Sequence, residues 1–351
     1  MRSDPRTKPL RIVSIGGGNG LATLLRGLKR YSRAAQGGIE VTAIVTVTDD
    51  GGSSGRLRRD FAVLPPGDIR NCMVALSQDE TLLAKLFNYR FSGGRGLKGH
   101  SFGNLFLTAM THLTGDFAQA VKLSAEVLAV SGRIYPSTAS NVGLEATLAD
   151  GQTITGESRI GRSKQPISRI QLKPRRVKPL KETLAAIAEA DIITLGPGSL
   201  FTSIIPNLLV DGIPKAIAQS KATTVYFANL MTQPGETQGL SVSGHLEAIL
   251  HHSGRHRRHL IDVCVVNRGE LGSGALQAYG AKAAKPVFVD VPAIEALGAR
   301  VISDDLVRLS GTRQQPKIRH DTGAIGAITI ELAQSHRVQS QRAKMKKERT
   351  K

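Results

Sequence analysis

Leu10–Ile15 is a short apolar run that stops at Gly16-Gly17-Gly18-Asn19-Gly20 and passes at once into LATLLRGLKR, whose apolar residues recur at helical spacing. Strand, glycine turn and helix in that order make a βα unit, and a βα unit needs further parallel strands to pair with. The chain supplies them. Val41–Val47 is dominated by β-branched residues, as in a strand buried on both faces. Asp191–Leu195, Thr223–Leu230, Ile261–Asn267 and Val287–Val291 are further predicted strands. Helical spacing marks much of 65–130, broken by a glycine-rich loop at 92–104, then LKETLAAIAEA, a helix from near Leu200, Val242–His252 and a last helix near 322–334. VGLEATLADGQTITG at 142–156 alternates around Asp150-Gly151, a hairpin signal that interrupts the rhythm. The expected fold is a Rossmann-like, doubly wound α/β domain: a mostly parallel sheet with helices on both faces and an inserted β-hairpin. The boundaries are a basic arm at 1–10, one domain at 11–335 with a helical region at 65–130 and the hairpin insert at about 140–175, and a disordered basic tail at 336–351.

The net charge of +19 sits mostly in three stretches: 2–11 carries +3, 159–181 carries +9 and 337–351 carries +6. The rest of the 351 residues is close to neutral, so the charge does not define a binding groove. No base-stacking aromatics are interleaved with the basic residues, and the chain has no Trp, so no specific nucleic-acid partner is expected. A basic surface that docks an acidic partner or lies near anionic lipid suits the charge better. Cys72 and Cys264 are the only cysteines, too few for a disulfide framework or a four-cysteine zinc site. No apolar run reaches the roughly 18 residues of a membrane span, and no secretory signal opens the sequence. A cytoplasmic location is expected.

In doubly wound sheets ligands bind beyond the carboxyl ends of the strands, and the polar loops fall there. Gly16–Gly20 lets backbone approach an anion at a helix start, although it is neither the dinucleotide fingerprint nor a Walker loop. Thr48-Asp49-Asp50-Gly51-Gly52-Ser53-Ser54-Gly55 places two carboxylates at a strand end. One of Asp49 and Asp50 is expected in the crevice, binding a hydroxyl or a Mg²⁺, with Asp50 the metal candidate; Asx-turn chemistry is the plainer alternative. Asp68, Arg70 and Asn71 open a helix, Asp68 suiting a cap and Arg70 a phosphate. His100, Ser101 and Asn104 begin another; Ser101 is a candidate cap and His100 a candidate phosphate contact. Gly196-Pro197-Gly198-Ser199, with Thr202 and Ser203, repeats the anion-cradle pattern, and Asn229 and Thr232 lie in the next strand-end loop. The histidines of 251–259 alternate with arginines that repel a metal, so this segment reads as a solvated helix end.

Taken together, SIGGGNGLATLLRGLK, AIVTVTDDGGSSGRLR, PPGDIRNC, GHSFGNLFL, ADIITLGPGSLFTSIIPNLLV and NLMTQPGET resemble the gluconeogenesis factor family (YvcK-like proteins), within the 2-phospho-L-lactate transferase (CofD-like) superfamily. The resemblance implies a Rossmann-type protein that binds UDP-sugars such as UDP-N-acetylglucosamine and serves cell shape and wall synthesis on gluconeogenic carbon. It implies that the loops at Gly16–Gly20, Asp49–Ser54 and Gly196–Ser203 hold the nucleotide, and that a protein partner is regulated. A homodimer is a candidate assembly. The transferase branch of the superfamily uses an aspartate at the Asp49/Asp50 position with Mg²⁺ on a nucleoside diphosphate-linked substrate. It typically reads G-D-D, where this chain reads T-D-D-G-G-S-S-G. A non-catalytic binding protein is therefore the leading expectation, and a Mg²⁺-dependent transferase the alternative.

Overall fold

The structure is a computed structural model and describes residues 8–32, 38–78, 82–163, 165–256, 260–281, 283–312 and 316–349. Residues 1–7 of the expected basic arm, and 257–259 of the histidine-rich segment, lie outside the described residues.

The strands are β1 (Leu10–Gly16), β2 (Ile39–Val45), β3 (Arg133–Pro136), β4 (Gly143–Leu148), β5 (Thr153–Thr155), β6 (Ile167–Lys173), β7 (Ile192–Leu195), β8 (Thr223–Phe227), β9 (Val263–Asn267), β10 (Arg300–Asp304), β11 (Val307–Gly311) and β12 (Pro316–His320). Helices α1 (Gly18–Lys29), α2 (Gly52–Phe61), α3 (Gly67–Leu76), α4 (Leu82–Asn88), α5 (Phe102–Thr114) and α6 (Phe117–Val127) fill the first half. Then come α7 (Glu157–Ile160), α8 (Lys181–Glu189), α9 (Ile205–Leu208), α10 (Ile213–Gln219), α11 (Val242–His252), α12 (Ser273–Gly280), α13 (Val291–Ala296) and α14 (Thr322–Arg349).

Seven strands form one parallel sheet in the order β10-β9-β8-β7-β1-β2-β3. β1, with Ile12, Val13 and Ile15 buried, pairs with β2 (Ile12↔Val41) on one side and β7 (Ile12↔Ile192) on the other. Side chains covered on both faces explain why its sequence reads as a continuous apolar run. The order runs outward from β1 through β2 to β3 in one direction, and from β7 through β8 and β9 to β10 in the other. The reversal therefore lies between β1 and β7, the place where an α/β sheet opens a crevice. The insert is a three-stranded antiparallel sheet, β5-β4-β6, and β11 with β12 makes a separate hairpin.

Two expectations change. Val287–Val291 is not a strand: Asp290 accepts hydrogen bonds from Ser243 N–H (3.0 Å) and Ser243 O–H (2.5 Å), and α13 starts at Val291 with a proline in its first turn. The place beside β9 is taken by β10 instead. The basic tail expected to be disordered from 336 continues as α14 to Arg349. Beyond Gly326 this segment has neither proline nor glycine, and it is rich in Gln, Arg, Lys and Glu, all good helix formers. Arg337 also anchors it, bonding the carbonyls of Lys8 and Pro9 (2.6 and 2.7 Å) and pairing with Asp191 at 2.5 Å. No single helix among the described residues is long and apolar enough to cross a membrane.

Candidate functional site

β1 delivers the chain to Gly16, and β7 delivers it to Gly196 one strand away. Gly17 is extended (φ −168°, ψ 174°) and Gly18 turns left-handed (φ +58°), a region that glycine enters without steric cost. A Cβ on Gly17 would lie 2.7 Å from both Asp68 Oδ2 and Thr46 Cγ2. A Cβ on Gly20 would run into the Pro197 carbonyl and the Gly198 Cα, so the two glycine loops meet backbone to backbone. Asn207 ties them together, its Nδ2 donating to Gly16 O (3.1 Å) and Ser203 O (2.7 Å).

Beyond these loops opens a cleft of about 590 Å³. Gly17, Gly18, Asn19, Gly20, Asp68, Pro197, Gly198, Ser199, Ser203, Asn229 and Thr232 line it, as do Glu157, Gln233, Tyr279, Arg319 and His320, which sequence reasoning did not single out as ligand contacts. Gln233 Nε2 donates to Ser199 Oγ (2.8 Å), bracing the second loop, while its Oε1 is buried and unpartnered. Burial holds the His320 imidazole down at about 4, and its Nε2 stands 3.1 Å from the Ala228 carbonyl. A neutral ring donating there leaves Nδ1 as its acceptor.

The remaining predicted residues sit elsewhere. Gly16 and Gly196 are not among the residues that line the cleft. Ser53 Oγ bonds His100 Nδ1 (2.9 Å), and Asn104 Nδ2 donates to Ser54 Oγ (3.4 Å), so these side chains join α2 to the start of α5. Ser101 caps α5 through Asn104 N–H (3.3 Å), as expected. Arg70 bonds Asn71 Oδ1 (2.6 Å), and Thr202 O–H donates to Glu236 Oε1 (3.0 Å). Neither Asp49 nor Asp50 lines the cleft: Asp49 Oδ1 accepts from Gly51 N–H in an Asx turn, and Asp50 Oδ1 accepts from Ser158 N–H, both at 2.8 Å. Asp68 does not cap α3; it lies in the first turn and its carboxylate accepts from Gly18 N–H.

Carboxyl groups crowd the cleft floor. Burial, reinforced by the Asp49 charge, pushes Asp68 up to about 7, against the pull of Gly18 N–H and Arg70. Burial and then the charges of Asp49, Asp68, Asp50 and Glu236 push Glu157 up to about 9. Glu236 is also raised by burial, and its Oε2 has no partner. Among the described residues no three His, Cys, Asp or Glu side chains stand close enough to share an ion. The donor set fits Mg²⁺ of the kind that keeps one or two protein carboxylates and fills its octahedron with phosphate and water. Asp68, the one aspartate of the three that lines the cleft, is the residue that would hold it, because Asp49 and Asp50 each lie outside the lining and accept from a backbone N–H.

A parallel sheet with two apposed glycine loops at its reversal point, opening into a polar cleft, defines a Rossmann-like α/β protein. The family model described as 2-phospho-L-lactate transferase CofD matches residues 12–307, and the chain belongs to that family. Among its relatives, the gluconeogenesis factor of Bacillus subtilis is 44% identical over 322 residues, covering 92% of this chain and 98% of its own length. A Nostoc sp. relative is 53% identical over 292 residues, 83% of this chain, which spans only 62% of that longer protein. A crystal structure of a Bacillus halodurans protein superposes with a TM-score of 0.86 at 44% identity, covering 92% of this chain and all of that one.

Proposed function

We propose that the cleft binds a nucleotide-sugar of the UDP-N-acetylglucosamine type, and that binding sets the conformation in which this chain regulates a protein partner. The apposition of Gly20 with Pro197 and Gly198 carries the reading: two glycine-rich strand-to-helix loops meet at one sheet-edge cleft, a setting in which backbone can approach a diphosphate closely. At about 590 Å³ the cleft falls in the range of small-molecule sites. The proposal extends to support of cell shape and wall synthesis during growth on gluconeogenic carbon, from the cytoplasm, as the resemblance of the sequence motifs implies; the relatives named gluconeogenesis factor agree with the carbon-source part of it. Thermal stabilisation tests it. UDP-N-acetylglucosamine should raise Tm without added Mg²⁺ and be recovered intact, and absence of any shift across UDP-sugars removes the reading.

The crowded carboxyls favour a second reading, a Mg²⁺-dependent transferase acting on a nucleoside diphosphate-linked substrate. Bound at Asp68, the metal would neutralise a diphosphate and stabilise a leaving nucleotide. Asn19, Ser199 and Ser203 would orient the phosphates, and His320 and Gln233 would shape the far wall. Release of UMP or GMP with a defined acceptor decides for this reading.

A further inference from the structure

α7 is a single turn that begins without a cap of its own. Its N-cap is Gly156, at φ +104°, which has no side chain to offer the free N–H groups of the first turn. The missing acceptor comes from Asp50, 108 positions earlier in sequence, which takes Ser158 N–H at 2.8 Å. The fit is tight, since a Cβ on Gly156 would lie 2.5 Å from Asp50 Oδ2 and one on Gly51 would lie 3.2 Å from Ser158 Oγ. On the opposite side Gly235 closes against the turn that follows α7, where a Cβ would stand 2.6 Å from Ser163 O and 2.8 Å from Gly161 O. The turn is thus seated between the loop after β2 and the loop after β8, with Ile160 fully buried beneath it. Its first residue, Glu157, is the one described residue of β4–β6 and their connections that lines the cleft.

We propose that Asp50 is a positioning residue: it caps α7 across the fold, holds Glu157 in the cleft, and affects a bound ligand only through Glu157. The proposal rests on the reading of this cleft as the nucleotide-sugar site. It removes Asp50 from the ligand- and metal-binding residues expected of the paired aspartates, and it gives the antiparallel insert a function in the site.

The test combines two readouts on the full chain. Trypsin cleavage after Arg159 and Arg162, both exposed, reports the seating of α7 and needs no ligand. Equilibrium binding of UDP-N-acetylglucosamine reports the cleft. In D50A, cleavage should quicken and Kd weaken by about tenfold each, as loss of a cap implies. D50N keeps an acceptor oxygen for Ser158 N–H, and Asn caps about as well as Asp, so both readouts should return to within about threefold of the parent. In an E157A background, D50A should weaken Kd by less than about twofold further, the signature of two residues acting as one unit. The proposal is overturned if D50N binds as poorly as D50A while cleavage stays unchanged, because the charge itself would then touch ligand or metal. Additive losses in the double variant overturn it as well. Should the parent chain fail to bind the nucleotide-sugar, the functional reading falls, and cleavage alone decides the clasp: faster in D50A and restored in D50N supports it, unchanged in D50A defeats it.

Discussion

Two sets of glycine- and serine-rich loops sit near the sheet's carboxyl edge, and they have opposite fates. Gly17–Gly20 and Pro197–Ser199 flank the reversal between β1 and β7 and open into the cleft. Ser53, Ser54, His100 and Asn104 lie among helices α2 and α5 and bond to each other, with Asn104 Oδ1 buried and unpartnered. The residue types are nearly the same in both sets. What separates them is strand order: helices from neighbouring units diverge only at the reversal, and elsewhere they close over the loop between them. A polar loop next to a strand end is therefore a candidate site only once the sheet order is known.

That contrast can be broken by mutation. The largest effect is expected at Gly20. G20A forces a methyl against the Pro197 carbonyl and Gly198, and parting the loops should weaken UDP-N-acetylglucosamine binding by about 100-fold in titration calorimetry. Next comes pH, read as the stability difference between the parent and D68N. Asp68 titrates near 7 in the fold against 3.8 for a free carboxyl, so its favourable contribution is complete below about pH 4 and is lost as pH rises to about 7. Urea midpoints should show the parent losing roughly 2–4 kcal/mol against D68N over that window, then levelling. A flat difference would mean that Asp68 is not held in a dry, acidic setting. S53A should cost about 1 kcal/mol of stability through the lost His100 bond and leave Kd within about twofold of the parent. If S53A weakens binding as G20A does, the two sets of loops are not distinct. The smallest effect is expected for Q233A, which frees Ser199 and should weaken binding about threefold without moving Tm.

Much of the frame was readable because its signals are local. β1 and the glycine turn announce themselves through a buried strand and backbone torsions, and the stop of α11 at His252 follows helical periodicity. Other elements left no such trace. β3 and β10 are short edge strands: β3 has only four residues over which its alternation can show, and β10 has only exposed or half-exposed residues. The segment VFVDV looks like a strand, yet its place in the sheet is taken by β10, a competition invisible to composition. Glu157 and His320 reach the cleft from the insert and from β12, positioned by partners far away in sequence. The paired aspartates and the Asx turn that Asp49 makes with Gly51 N–H were legible, but the distant partner of Asp50, Ser158 N–H, was not.

β1 has its second neighbour at β7, so Ile12 waits for Ile192. On a ribosome adding about 5–20 residues each second, the first strand is made roughly 10–40 s before the chain can flank it on both sides. Throughout that interval one backbone edge of the sheet is open, and the first glycine loop has no opposite wall. Nascent chains shorter than about 200 residues should therefore depend on chaperones and bind no nucleotide, whereas release of β7 would close the edge and assemble the cleft in one event.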